Sequence, residues 1–478
     1  MTKYSLAILA FLLCLTVNAQ DSIVITKGRV TENIKINKTD LTYSLYLPAS
    51  YSPEKKYPVI FALDPDGDAI RTARLFTAAT GALDFIVAAN EFKFTDSTEV
   101  NITNTMEMMN HVILSVSTDQ DQFYVSGLNE GGVVASSISY VVAGIAGTLP
   151  INDVFFKVNF LALKNRGFVS GLVANASVDY YKMVDAFDNL AAAKSENKLY
   201  KYPEADGWPI TSVLSTAISN LYFLRNDQLG KELPEKTIEA TLNADLSTAQ
   251  YLIQNRHYLI AENYIKDFKD KYRNKHDLDT LRYLLRDLRD DPGFKTANKT
   301  AEGDEYDEFY LLEDLTYFLS LDVGTANFEN LAYWDQKIQD LEAAAQNAYK
   351  SSEAIVAQRL LGFLNASVKA YIKSVEEYNT PTSDSSVVKK KESIDKRMYP
   401  HILMTFLQPD NADSYMRLIS LAAEDNDSNT AYFYLEELLR TGYRDYDAIY
   451  EIPETDVIKI SPAYNEIVKT YFFKSKYQ

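Results

Sequence analysis

Gly127-Leu128-Asn129-Glu130-Gly131 follows the strand-like run Gln122-Phe123-Tyr124-Val125-Ser126 and has the G-x-S-x-G frame of a nucleophile elbow, with Asn129 in the serine slot. Such a frame lifts one side chain to the top of a sheet on a tight strand-to-helix turn, and its glycines let two backbones approach closely. A serine there attacks once a base takes its proton, and a third group holds that base in place. The carboxamide of Asn129 has no hydroxyl to attack with. Deamidation to a carboxylate is a minor route, because Glu130 rather than glycine follows Asn129, and an ester formed on it would still need a base to hydrolyse it.

Other groups could in principle do the chemistry. Ser126 and Ser136 are the serines nearest the frame, but Ser126 is expected on the strand before the turn and Ser136 on the helix after it. The chain has four histidines, His111, His257, His276 and His401. The first is expected on a helix before the elbow and the others in the helical second half, where a lone histidine is read as a surface or packing residue.

The elements that must position these groups follow from periodicity. Strand patterns run over Leu41–Leu47, Val59–Leu63, Phe85–Ala89, Phe123–Gly127, Phe168–Val173 and Lys198–Tyr202, with helical stretches at Thr105–Leu114, Glu130–Val142 and Tyr180–Ala193. This alternation predicts an α/β domain with a mostly parallel sheet and flanking helices over residues 20–228. From Pro234 the character changes, and residues 229–478 are expected to form an all-α, helical repeat-like domain. Amphipathic patterns cover Ser247–Tyr272, Asp277–Arg289, Tyr306–Leu321, Leu331–Lys350 and Ser352–Glu376, and Thr380–Asp395 reads as a loop. Asn411–Glu424 and Ser428–Thr441, with Gly442 as a C-cap, resemble one tetratricopeptide-like helix pair near 411–442.

Composition narrows the setting. Residues 1–19 have the Lys3, Leu6–Leu15 and Val17-Asn18-Ala19 pattern of a secretory signal, with an apolar run too short to span a bilayer. The one cysteine, Cys14, lies inside it, so no disulfide or thiol nucleophile is expected in the exported protein, which is read as periplasmic or otherwise envelope-associated and bacterial. With 66 Asp and Glu against 48 Lys and Arg, nucleic acid and anionic membrane surfaces are unlikely partners, since both need a concentrated basic face.

The chain resembles the secreted α/β-hydrolases described as poly-hydroxybutyrate depolymerase-like or esterase-like, in the form with a helical C-terminal extension. The resemblance is carried by Tyr46-Leu47-Pro48-Ala49-Ser50-Tyr51, Lys56-Tyr57-Pro58-Val59-Ile60-Phe61, Asp64-Pro65-Asp66-Gly67-Asp68, Tyr124-Val125-Ser126-Gly127 with Gly131, Asp179-Tyr180-Tyr181, Gly207-Trp208-Pro209 and Gln408-Pro409-Asp410-Asn411. It implies an α/β-hydrolase-like sheet whose serine position is Asn129, whose acid position falls near Ser177, with Asp179 beside it, and whose histidine position is Asp206. All three roles of the triad are then lost.

In that fold the loop after the Val59–Leu63 strand, the elbow and the histidine loop converge at the carboxyl edge of the sheet, where ligands bind in open α/β sheets. Asp64, Asp66, Asp68, Glu130 and Trp208 are the pocket candidates. Asp64, Asp66 and Asp68 have the alternation of a calcium loop, though a short D-x-D-x-D run is more simply a set of hydrated loop carboxylates. No other cofactor is expected. The 34 Tyr and 23 Phe could supply anchors for a protein or glycan partner on the helical domain, although most aromatics at helical spacing are core. These residues point to an exported, catalytically degenerate hydrolase-like protein that binds or scaffolds; the alternative is an active carboxylic-ester hydrolase with a displaced nucleophile.

Overall fold

The structure, a computed structural model, describes residues 25–156, 167–203, 207–347, 352–379 and 392–477. The expected leader at 1–19, Asp206 and positions 380–391 of the expected loop lie outside these residues.

Eight strands, β1 (Val30–Lys35), β2 (Thr42–Tyr46), β3 (Tyr57–Leu63), β4 (Ile86–Asn90), β5 (Thr118–Leu128), β6 (Ile145–Ile151), β7 (Phe168–Ala174) and β8 (Asn197–Tyr202), form one sheet in the order β1-β2-β4-β3-β5-β6-β7-β8. β2 runs antiparallel to β1 and β4, while β4, β3, β5, β6 and β7 pair in parallel. The helices between the strands are α1 (Ala69–Ala79), α2 (Thr98–Ser115), α3 (Glu130–Val141), α4 (Tyr180–Ala192) and α5 (Thr211–Gln228). This is an α/β-hydrolase-like fold. Every residue of β3, β4 and β6 is buried, the mark of parallel strands covered on both faces.

Between Val30 and Gln228, two strands and two helices go beyond the sequence pattern. β1 is an edge strand whose Val-Thr-Glu-Asn-Ile-Lys sequence is mostly half-buried or exposed, so it has no apolar face to announce it. β6 carries Gly147 and Pro150, residues that normally argue against a strand. Here a Cβ on Gly147 would stand 2.9 Å from the Tyr124 ring, so the glycine makes room for a buried neighbour. α1 and α5 are the unforeseen helices.

The rest of the chain is helical: α6 (Glu235–Gln254), α7 (Tyr258–Lys271), α8 (Asp279–Asp290), α9 (Pro292–Thr325), α10 (Leu331–Asn347), α11 (Ser352–Asn379), α12 (Ile394–Leu407), α13 (Ala412–Glu424), α14 (Ser428–Arg440), α15 (Tyr446–Tyr450) and α16 (Pro462–Phe472). The single helix expected over Ser247–Tyr272 is broken. Arg256 turns left-handed at φ 63° and His257 N–H bonds back to Leu252 O at 2.8 Å, closing α6 without a glycine. One apolar cluster surrounds Trp334, whose Nε1 donates to the fully buried Asp322 carboxylate at 2.8 Å; Asn327 and Asn330 donate to the same carboxylate at 2.9 Å each. A second cluster joins α12 to α16, with α13 and α14 capped by Asn411 and Asp427. Among the described residues no helix is long and apolar enough to cross a membrane.

Contacts divide the chain into two compact units. The first comprises residues up to Leu172 with Asn189–Lys198 and Ile210–Thr248; the second comprises Val173–Asp188, Leu199–Pro209 and Ala249–Gln478.

Candidate functional site

In the first unit, β5 passes into α3 through Asn129, which takes φ 50° and ψ −119°. A non-glycine residue at positive φ is uncommon, and with ψ −119° Asn129 lies outside the left-handed helical region that asparagine tolerates best. The turn is this tight because three glycines remove obstacles to it. A Cβ on Gly127 would stand 2.2 Å from the Gly131 carbonyl, one on Gly131 would stand 2.6 Å from Leu63 O, and one on Gly132 would stand 2.2 Å from Asp153 O. Asn129 N–H donates to Ile151 O at 2.8 Å, tying the turn to the end of β6. The half-buried Asn129 side chain does not cap α3, and Glu130 beside it is exposed. The tight strand-to-helix turn thus carries a carboxamide side chain at its tip.

The two serines near the turn are committed elsewhere. Ser126 is fully buried in β5 and its hydroxyl donates to Leu149 O at 2.9 Å. Ser136 donates within α3 to Gly132 O at 2.6 Å and accepts from Phe155 N–H at 2.8 Å. His111 is the only histidine of this unit. Its Nδ1 lies 2.9 Å from the hydroxyl of the fully buried Tyr43, whose ring meets the imidazole edge-on. Burial holds His111 below the usual histidine range, which favours the neutral packing residue expected of it.

The acidic loop after β3 uses its carboxylates to build itself. Asp64 is buried, accepts from Asp66 N–H at 2.9 Å and from the Thr72 hydroxyl at 3.1 Å, and is clamped through its backbone by Asn90. Asp68 caps α1 by accepting from Arg71 N–H, and Asp66 is exposed. Gly67 sits at φ 73°, with space for a Cβ closed by Glu91 O at 2.6 Å. Among the described residues no group of three or more His, Cys, Asp or Glu is placed to hold a metal ion, so the calcium expectation for Asp64, Asp66 and Asp68 finds no donor cage here.

The remaining expected positions fall in the second unit. Ser177 is buried, and its hydroxyl accepts from Asp179 N–H at 3.3 Å at the start of α4. That is a serine turn leading into the helix. Trp208 is half-buried beside Gly207, whose carbonyl accepts from the Tyr202 hydroxyl at 2.8 Å.

Sequence reasoning missed the group that dominates this loop. Arg359 on α11 donates from Nε to Asn175 O at 2.5 Å and from Nη2 to the Asn175 side-chain oxygen at 2.6 Å. Its Nη1 reaches both oxygens of Glu308 at 2.9 and 3.0 Å. The guanidinium lies 3.8 Å from the ring centroid of Tyr180, a cation–π contact. Tyr181 donates to Glu308 at 2.6 Å, and burial with this bond drives its phenol far above the ordinary tyrosine range. Lys201 completes the group by bonding the Tyr180 hydroxyl. Arg359 and Glu308 pair with each other, so the arrangement fixes the loop. The available signal was an arginine set between Ala357 and Leu360, both buried.

Solved structures similar to this chain include an apoenzyme S-formylglutathione hydrolase from Staphylococcus aureus, 11% identical, covering 42% of this chain and 99% of that one with a TM-score of 0.34. A feruloyl esterase module from Clostridium thermocellum is 16% identical, covering 42% of this chain and 86% of that one with a TM-score of 0.34. A ferulic acid esterase is 13% identical, covering 42% and 98% with a TM-score of 0.32. No family model matches the chain, and no curated protein matches it.

Proposed function

We propose that this is an exported, catalytically inactive α/β-hydrolase-like protein that acts by binding or scaffolding at the bacterial envelope. The observation that carries the proposal is Asn129, a carboxamide held at φ 50° on a turn formed by Gly127, Gly131 and Gly132. Support comes from the engagement of Ser126 and Ser136 with backbone groups and from the pairing of His111 with Tyr43. The expected base position is Asp206 and the expected acid position is Ser177, neither of which has the chemistry of the role. Export rests on the leader-like pattern of residues 1–19, and a two-part organisation into a hydrolase-like domain and a helical domain from about residue 229 belongs to the same proposal.

Hydrolysis of p-nitrophenyl acetate and butyrate by the purified protein, beside Asn129→Ala and Asn129→Ser, tests the absence of catalysis. No rate above buffer and no labelling by a fluorophosphonate are expected. A wild-type rate that Asn129→Ala abolishes would overturn the proposal and establish an active ester hydrolase.

A further inference from the structure

The outer side of α9 is apolar where a surface helix is ordinarily polar. Such a helix buries one stripe and solvates the other. α9 does bury Leu315 and Leu319, yet Tyr306, Tyr310, Tyr317 and Leu321, spaced to share the opposite face, stay in solvent. Tyr306 and Tyr317 are each 62% exposed. The rings fall into two groups. Tyr306 lies 4.5 Å from Tyr310 between centroids, with Phe309 at 5.5 Å from Tyr310; Tyr317 lies 5.4 Å from Phe318, which is 6.4 Å from Tyr333 at the start of α10. All are edge contacts, which set the rings in place before anything binds. Neighbouring exposed rings of this kind mark an interaction surface.

The charges beside these rings have one sign. Residues 300–336 contain no lysine, arginine or histidine, and the exposed Asp307, Glu313 and Asp314 have no ion-pair partner among the described residues. Glu308 belongs to the other side of the helix, where Arg359 holds it. The hydrogen bond with Tyr306 first, then desolvation and the Glu313 carboxylate, raise the Tyr310 phenol; burial first, then Asp314 and Asp322, raise that of Tyr333. The charges that reach both rings are negative. Elsewhere the helical unit covers aromatic faces with its own cations: Arg286 stands 5.1 Å from the Tyr283 centroid, Lys271 5.2 Å from that of Tyr272 and Lys474 4.2 Å from that of Tyr446. The α9 rings have no such cover among the described residues. Electron-rich rings edged by carboxylates attract a cation twice, through the ring quadrupole and through charge.

We propose that the outer face of α9 docks a basic, arginine-bearing segment of a partner protein, with one guanidinium over Tyr306 and Tyr310 beside Glu313 and a second over Tyr317 and Phe318 beside Asp314. The proposal rests on the binding reading given above and supplies the class of partner. Arginine suits the face better than lysine, because its planar guanidinium stacks on a ring while it pairs with a carboxylate. Tyr310 and Tyr317 are seven positions apart, about 10 Å along the helix, a distance that about three residues of extended chain span. From Tyr306 to Leu321 the face runs about 22 Å, more than one small cation covers, and a helix exterior has no concavity to enclose one. Its carboxylates repel nucleic acid and anionic membrane surfaces, and in a two-fold contact between copies of this chain they would oppose one another.

The test is fluorescence anisotropy of the full-length protein, at low ionic strength, with labelled peptides of serine and glycine that carry arginine at every third position, beside versions with lysine or the neutral isostere citrulline in its place. The arginine peptide is expected to bind with Kd on the order of 100 μM, more tightly than the lysine peptide and about tenfold or more tighter than the citrulline peptide. Tyr310→Ser with Tyr317→Ser, and separately Glu313→Lys, change exposed positions, and circular dichroism would verify that the fold is kept. Each should weaken the arginine peptide by about tenfold, whereas Glu466→Lys, an exposed carboxylate on α16, should leave it unchanged. No binding up to millimolar peptide, equal binding of the citrulline peptide, or an equal loss with Glu466→Lys would overturn the proposal. So would retention of a neutral oligosaccharide such as maltohexaose, or self-association of the protein, that the paired serine variant abolishes. A protein that hydrolysed the esters and still bound the arginine peptide would overturn the catalytic reading alone; an inactive protein that did not bind it would overturn this proposal alone.

Discussion

Arg359 grips Asn175, the first residue beyond β7, through two hydrogen bonds that bridge 184 positions of sequence. The guanidinium meets the peptide carbonyl and the carboxamide of one residue in a fork that lysine could not reproduce. Its remaining nitrogen holds Glu308, which in turn accepts from Tyr181. The loop expected to carry a catalytic acid is thus fixed by an arginine from α11.

Removing that arginine leaves a carboxylate with little water. The side chains of Arg359 and Glu308 are 9% and 13% exposed, and breaking a buried pair from one side costs about 3–5 kcal/mol. Arg359→Ala should lower urea-unfolding stability by that order, whereas Arg359→Met with Glu308→Gln should recover a good part of it. Equal losses in the single and double variants would mean that the charge pairing is not what matters at this position.

Much of the sheet could be read from sequence because parallel strands are continuous apolar runs. Val59–Leu63 and Phe85–Ala89 were expected within one or two residues of β3 and β4. β6 was hidden by Gly147 and Pro150, whose places are set by Tyr124 and by the neighbouring strand rather than by local propensity. The elbow was legible because its glycines are spaced by the geometry they permit, although Gly132, which no frame marks, is as crowded as Gly127. Of the Arg359 group only the arginine between Ala357 and Leu360 could be read; its partners could not. Its members are spread from Asn175 to Arg359, and a contact across that distance leaves no periodic trace.

The conformation of Asn129 makes a sign prediction. A non-glycine residue at a sparsely populated backbone position stores roughly 1–3 kcal/mol of strain, while glycine adds about 0.5–1 kcal/mol of unfolded-state entropy. Asn129→Gly should therefore raise stability by about 1 kcal/mol and Asn129→Val should lower it. Gly131→Ala, pressed against Leu63 O at 2.6 Å, should be the more damaging change. Denaturant midpoints of the three variants check the order.

The loop after β3 should be indifferent to calcium. Asp64 is spent on Asp66 N–H and Thr72, and Asp68 on the first turn of α1. Because a ligand that binds only the folded state raises its stability with concentration, the melting temperature should be unchanged between EDTA and millimolar calcium. A rise of several degrees that Asp66→Asn removes would restore the metal site. Asp64→Asn, by contrast, should lower the melting temperature in either buffer, since its carboxylate holds the turn.

His401 makes stability depend on pH in a defined window. Burial first, then the nearby Arg417 and Arg397 guanidinium groups, push its imidazole from 6.5 down to about 4. The facing groups are Ser414, whose hydroxyl is 3.4 Å from Nδ1, Glu376 at 3.8 Å from Nε2, and Glu424, which pairs with Arg397 at 2.9 Å. The folded state resists a proton that the unfolded chain accepts, so between pH 6.5 and 4 the unfolded chain binds more protons and stability rises with pH. The contribution is fully present above pH 6.5 and is lost as pH falls toward 4. At about 1.4 kcal/mol per pH unit in that window, the wild type should be weaker by on the order of 2 kcal/mol at pH 5 than at pH 7, beyond the change seen in His401→Gln. Urea unfolding at the two pH values gives the comparison, and parallel pH profiles for the two proteins would remove His401 as the cause.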